Sequence, residues 1–277
     1  MKKWFTTVLT VIFMLSSVSI VSAAEESGDG FRSQIKQSNF SETVVGGQTK
    51  LKIPSSANIN AIAGQIYPEF FISINSKQGA TFDGGVILDG TQWKAVIFGG
   101  ASSSTWQETN ISNITGQTVN LKLAGEKDSR GEYIVKLTVS NSSGSTIGSI
   151  SVDKNTPKYY KGNRDGELGW LAENPYYSGL NTVSYELNMV PTSSISAGYY
   201  HKTTGSNGKR AFFDGAEMSI AVPIKKAGGT LALNGFSWSH TKNCDDFQYT
   251  QADVDKLVYD VSNQTYLYTT MNFNNLP

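Results

Sequence analysis

The chain holds one cysteine, Cys244, among 277 residues. No disulfide can form within it, so its stability has to come from a large buried core. Histidine is nearly as scarce. A zinc site or a Ser/His/Asp triad would have to be assembled from His201 and His240 alone, and neither a G-x-S-x-G elbow nor an H-E-x-x-H motif is present. Basic and acidic residues balance at 23 each, which gives no electrostatic case for nucleic acid or an anionic membrane as partner. The one sustained apolar run, Trp4 to about Leu15, is too short to span a bilayer.

That run reads as part of an export signal. Lys2 and Lys3 precede it and Val21-Ser22-Ala23-Ala24 follows, which is the charged start, apolar middle and small-residue cleavage site of a secreted protein. Residues 1–24 are expected to be removed and residues 25–277 to form a single secreted domain. Loss of Lys2 and Lys3 leaves 21 basic against 23 acidic residues, a net charge of −2. Few cysteines and a lysine-headed signal fit a bacterial source.

What the chain has in abundance is alternation of period two. Phe82 to Phe98 reads as one hairpin turning at Asp89-Gly90, with Phe82, Gly84, Val86, Leu88, Trp93, Ala95 and Ile97 on a core face. Its other face, with Asp83, Gly85, Ile87, Gln92, Lys94 and Val96, suits water. Ser41 to Ile53 reads as two strands around a tight turn at Gly46-Gly47, and Gly64 to Ser76 as a strand with Phe70, Ile72 and Ile74 on one side. A meander follows through Val119 to Leu123, Tyr133 to Val139 and Ile147 to Val152. Asp153 to Leu180 is irregular. Strands resume at Val183 to Met189, at Ser194 to His201, and at Arg210 to Phe213 and Met218 to Val222, the last two joined by Asp214-Gly215. Further strands are expected at Thr230 to Trp238 and Gln264 to Phe273. One short helix is signalled near the C-terminus, from the capping-box-like Thr250-Gln-Ala-Asp253 to about Tyr259. So many short strands must stack or close, and the expected fold is an all-β, two-sheet antiparallel β-sandwich of the jelly-roll kind.

Phe70-Phe-Ile-Ser-Ile-Asn75, Gly85-Val-Ile-Leu-Asp-Gly90 with Trp93, the isolated Trp106, Gly116 to Leu123 and Tyr133 to Val139 together resemble the middle of the concanavalin A-like lectin and glucanase jelly rolls. The chain as a whole also resembles small secreted proteins of Bacillus-type bacteria. The resemblance implies a concave sheet, a sugar as ligand and a structural calcium ion.

Sugar recognition uses aromatic faces for pyranose rings and amides or carboxylates for hydroxyls. Trp106 with Glu108, and Trp170 with Tyr176 and Tyr177, offer that chemistry from expected loops, against the alternative that these aromatics fold inward as caps. Glu186 stands mid-strand with Ser184 and Asn188 on its own face. This trio would be a ligand-facing row on a concave sheet and ordinary surface on an outer one. Glycoside hydrolysis needs two carboxylates about 5 to 9 Å apart, and sequence alone pairs none with Glu186. Glu126 to Glu132 has the wrong spacing and reads as a solvated hairpin loop. For calcium, Asn163, Asp165 and Glu167 alternate oxygen ligands around Gly166, although the EF-hand register is broken by Lys161 and Ala172. Three functions stay open: a non-catalytic module binding a glycan or cell-wall polysaccharide, a polysaccharide-cleaving enzyme using Glu186, and an extracellular structural protein without a small ligand. The oligomeric state is also open.

Overall fold

Among the described residues, the chain is extended where apolar residues alternate with polar ones, and the strands so formed pair antiparallel into two sheets. The computed structural model describes residues 29–36, 40–100, 106–156, 167–191, 208–232, 238–243, 258–261 and 269–272. The first sheet has the order β13 (Trp238–Asn243), β1 (Asp29–Lys36), β11 (Leu180–Pro191), β4 (Ile66–Ser76), β5 (Thr81–Asp89), β6 (Gln92–Gly100) and β7 (Gln107–Asn110). The second runs β10 (Thr146–Val152), β9 (Tyr133–Asn141), β8 (Thr118–Lys127), β2 (Val44–Lys52), β12 (Phe212–Lys225), β15 (Thr269–Asn272) and β14 (Val258–Val261). The short β3 (Ile59–Asn60) pairs with the start of β12, and two short helices, α1 (Glu167–Glu173) and α2 (Pro175–Ser178), precede β11.

The two sheets bury their apolar faces against each other. Phe70, Ile72 and Ile74 of β4, Val183, Tyr185 and Leu187 of β11, and Trp93 and Ile97 of β6 share one core with Leu51 of β2, Leu121 and Leu123 of β8, and Val135 and Leu137 of β9. Each such side chain contributes about 1.5–3 kcal/mol when removed from water, and together they replace the missing disulfide. The sandwich reading is correct.

Several local expectations shift. The hairpin pairs Asp89 with Gln92 and Leu88 with Trp93, so its turn is Gly90-Thr91, one step later than expected. The cause is that Asp89 is held in the ladder: its carboxylate accepts from Gly64 N–H at 2.8 Å and from Lys94 Nζ at 3.1 Å, while Gly90 takes the positive φ. The core face survives because a shift of this kind preserves side-chain parity. The opposite face does not meet water as expected; Ile87 and Val96 there are buried in a second apolar cluster. Gly46-Gly47 is no turn but the middle of β2. A Cβ on Gly46 would strike the backbone of β8, and one on Gly47 would stand 2.7 Å from a methyl of Val183. Asp214-Gly215 likewise lies inside continuous β12, where Gly215 at φ 75 marks an irregularity in the pairing with β15.

The irregular region folds locally. Asn174 caps α2, its side chain accepting from Tyr176 N–H at 2.9 Å with Pro175 in the first turn. The helix expected from Thr250 falls on residues 250–257, outside the described residues, and Val258 and Tyr259 stand in β14. The strand expected over Ser194 to His201 also lies outside them.

Candidate functional site

The site lies on the face of the first sheet that is turned away from the second. Along β11 the core takes Val183, Tyr185, Leu187 and Met189, which sends Ser184, Glu186, Asn188 and Val190 to the other side. In β4 the same alternation sends Tyr67, Glu69, Phe71 and Ser73 outward. The antiparallel register then sets Asn188 beside Glu69, Glu186 beside Phe71 and Ser184 beside Ser73, and β1 brings Arg32 alongside Glu186.

Two carboxylates meet there. The Asn188 amide nitrogen donates to Glu69 Oε1 at 3.3 Å and to Glu186 Oε2 at 3.2 Å, and Arg32 Nε reaches Glu186 Oε1 at 2.8 Å. A side-chain amide carries two N–H donors, so one Asn can serve both acids. Both oxygens lie within 3.3 Å of that nitrogen; their separation is less than twice this distance. All three residues are deeply set, Glu69 at 3% exposure, Asn188 at 6% and Glu186 at 9%. Gln34 Nε2 adds a bond to Ser184 Oγ at 3.2 Å.

Across the same face the floor turns apolar and aromatic. Tyr67, Phe71, Ile87, Val96 and Val190 are buried together, with Phe98 and Trp106 half-buried against them. Trp106 stacks on Phe98, with ring centroids 5.5 Å apart and planes 23° from parallel, and its indole N–H donates to Glu108 Oε2 at 2.8 Å. Lys94 Nζ contacts Glu108 at 2.9 Å and Asp89 at 3.1 Å. Partial burial works against the charged Glu108, yet the indole and Lys94 outweigh it and hold the carboxyl below its usual range. Burial likewise opposes the charge on Lys94, and the two carboxylates raise it above the ordinary lysine value.

Four of the expected site residues, Trp106, Glu108, Glu186 and Asn188, therefore share one face. They are not one pocket. Glu186 and Glu108 stand in one row through Phe71, Gly85 and Val96, four strand spacings or about 19 Å apart.

Trp170, Tyr176 and Tyr177 are elsewhere. Trp170 is 1% exposed, donates its indole N–H to the Tyr133 carbonyl at 2.8 Å and meets Phe82 edge-on, which is the inward-folding alternative. Tyr176 and Tyr177 gather about the Tyr133 ring at 5.9 and 6.1 Å; Lys226 lies over Tyr176, Lys127 over Tyr133, and Tyr177 is 57% exposed. Asn163 and Asp165 lie outside the described residues, and Glu167 opens α1. Among the described residues no three His, Cys, Asp or Glu side chains gather as a metal site requires, and no helix is long and apolar enough to cross a membrane. The Glu126 to Glu132 segment is the expected hairpin loop, with Asp128 Oδ1 accepting from the backbone of Arg130 and Glu132.

Glu69 and Arg32 were not legible as site residues. Glu69 falls on the face of Phe71 by alternation, but its meeting with Asn188 spans 119 residues of sequence. Arg32 sits in β1, where the buried Phe31, Ser33 and Ile35 alternate with it and are the local signal that sets it on the opposite face.

Fold and site together define an antiparallel β-sandwich with a paired-carboxylate face. Neither a protein-family model nor a curated protein matches this chain. Among solved structures it is similar to tailspike protein 2 of the Escherichia coli O157:H7 bacteriophage CAB120, at 11% identity and a TM-score of 0.30, over 65% of this chain. The matched part spans 21% of that tailspike, and so slight a likeness carries no functional argument.

Proposed function

We propose that the outer face of the first sheet binds a glycan. The observation that carries this reading is the single Asn188 amide within 3.3 Å of two carboxylates, on a face that also presents a half-buried tryptophan. Carboxylates, an amide and a guanidinium suit sugar hydroxyls, and the fixed indole suits a pyranose face. The carboxylates set into this face favour a neutral sugar over an acidic one. The expected export signal would present this face outside the cell, where polysaccharides are met, and the resemblance to lectin and glucanase jelly rolls implies the same ligand class.

A second reading, glycoside cleavage, is favoured by the same pair. Glu69 supplies the second carboxylate that Glu186 lacked in sequence. Because both oxygens accept from the one Asn188 nitrogen, at 3.3 and 3.2 Å, they lie less than twice 3.3 Å apart, a bound that includes the spacing of about 5–5.5 Å used by retaining glycosidases. Glu186 and Glu69 would then divide the nucleophile and acid/base roles.

One experiment treats both. The chain from residue 25 onward is titrated calorimetrically with neutral plant and cell-wall oligosaccharides, and reducing ends are assayed in the same samples. Binding weakened about tenfold or more in W106A and E186Q supports the site; release of reducing ends that disappears in both E69Q and E186Q supports cleavage. No binding across the panel, or binding indifferent to W106A and E186Q, overturns the proposal.

A further inference from the structure

A second concavity lies on the other side of the sandwich and does not rest on the reading above. Along β2, Leu51 turns into the shared core, so Gln48 and Lys50 stand on the outer face of the second sheet. The ladders then build a two-by-three array. Gln48 pairs with Lys122 and Lys122 with Thr138; Lys50 pairs with Asn120 and Asn120 with Ser140. These six side chains line a groove of about 410 Å³, within the range of about 300–1,000 Å³ usual for small-ligand sites.

Two features border the groove. At one end the turn after β9 forms a wall: Gly144 lines the groove, and Asn141 fixes the turn by accepting from the backbone of Ser143 and Ser145. At the other, the β12 register slips between Ser219 and Val222, next to Lys50 and Gln48, and Val222 lines the groove. Bulges of this kind bend a strand and re-aim what it carries. The array is also held in place, since Asn120 Nδ2 donates to the Asn141 carbonyl at 3.1 Å and so presents its oxygen in a fixed direction.

The lining chemistry selects the ligand. Among the described residues no carboxylate and no aromatic ring lines the groove. Stacked bases would want an aromatic platform and a protein partner a central apolar anchor; hydroxyls and amides instead suit a polyhydroxyl chain. Lys50 and Lys122 add positive charge. Lys122 meets Glu126 at 3.4 Å, and the same carboxylate also meets Lys136 at 3.5 Å, so one acid serves two ammonium groups at the groove margin. Nearby, Lys52 pairs with Glu217 at 2.7 Å. Each ammonium has three donors, which leaves Lys122 with capacity beyond its long contact to Glu126.

We infer that this groove binds a short acidic saccharide, its carboxylate or phosphate at Lys50 and Lys122 and its hydroxyls along Gln48, Asn120, Thr138 and Ser140. The groove lining thus differs in charge from the paired-carboxylate face on the other side of the sandwich, and the two would take saccharides of different charge.

The test uses the chain from residue 25 onward, titrated by NMR with a galacturonate trisaccharide, a glycerol-phosphate trimer, a neutral trisaccharide of the same length, and inorganic phosphate. Shifts in β2, β8 and β9 with either anionic oligomer, weakened by added salt and at least about tenfold weaker in K50A and K122A, support the inference. Which oligomer binds tighter names the source of the anion. E186Q is expected to bind the anionic oligomers as the wild type does, which separates this groove from the first face. Equal affinity for the neutral trisaccharide, phosphate binding as tight as the oligomers, or no shifts in these strands overturns it. Lys50 is exposed and Lys122 half-exposed, and neither side chain enters the core, so the variants are expected to fold; the salt dependence of the unmodified chain decides the matter should they not.

Discussion

Asn188 and Glu69 stand opposite each other in the β11–β4 ladder, 119 residues apart in sequence, and the Asn188 amide joins Glu69 to Glu186. Its loss should be costly. Asn188→Ala leaves two buried acceptors without that donor and is expected to destabilise by about 1–3 kcal/mol in urea unfolding. Asn188→Asp adds a third carboxylate to the pair and should cost about 3 kcal/mol or more at pH 7. Protonation relieves like-charge repulsion, so the Asp variant should regain stability as pH falls. A variant as stable as wild type would mean that the amide does not hold the pair together.

Trp106, Glu108 and Lys94 make a pH-sensitive corner. Glu108 titrates below its usual range, so its stabilising contribution is present above the unfolded-state pKa and is lost only as pH falls through the lower folded value. Lys94 is shifted upward, so its contribution is complete below the unfolded lysine pKa and is lost as pH rises through the higher folded value. The Trp106 indole N–H resonance should report the acid step with a midpoint below that of free glutamate, Lys94→Met should move that midpoint upward, and Glu108→Gln should abolish it. A midpoint at or above the free value would refute the contact.

Trp170 belongs to the structure and not to ligand contact. Burial and the Tyr133 carbonyl bond imply that Trp170→Ala costs about 3–5 kcal/mol. Trp170→Phe should keep much of the packing while leaving glycan affinity unchanged at temperatures where it is folded. Selective loss of affinity in the Phe variant would return Trp170 to the site.

Gly47 marks where the sheets approach closely. An added Cβ would stand 2.7 Å from Val183, 2.9 Å from the Tyr185 hydroxyl oxygen and 3.2 Å from Ile72. Gly47→Val should therefore destabilise by about 1–3 kcal/mol through overpacking, read as a lower Tm. An unchanged Tm would show that the inner face has room.

Much of this fold was legible because alternation is local. Phe70, Ile72 and Ile74 declared their face without reference to any partner, and so did Val183, Leu187 and Met189. Turn chemistry was less decisive. Gly46-Gly47 and Asp214-Gly215 look like turns in sequence, and become strand interior only because other strands press on them or shift register beside them. The site was half legible for the same reason. Glu186 and Asn188 share a face by spacing of two, whereas Glu69 and Arg32 join them only through strand order, which local periodicity does not encode. Trp106 and Trp170 looked equivalent as isolated loop aromatics. One lies half-buried over a sheet face and the other closes the core, a difference set by what packs around each.

The proposed binding of a neutral glycan to the outer face of the first sheet is read by hydrogen–deuterium exchange of the chain from residue 25 onward, with and without a saturating neutral oligosaccharide. Slower exchange is expected in β4 around Glu69, in β11 around Glu186 and Asn188, and in β7 around Glu108, with the second sheet unchanged and the effect absent in E186Q. Protection confined to the second sheet or to the Tyr133–Tyr177 cluster, or unaltered by E186Q, would contradict the assignment.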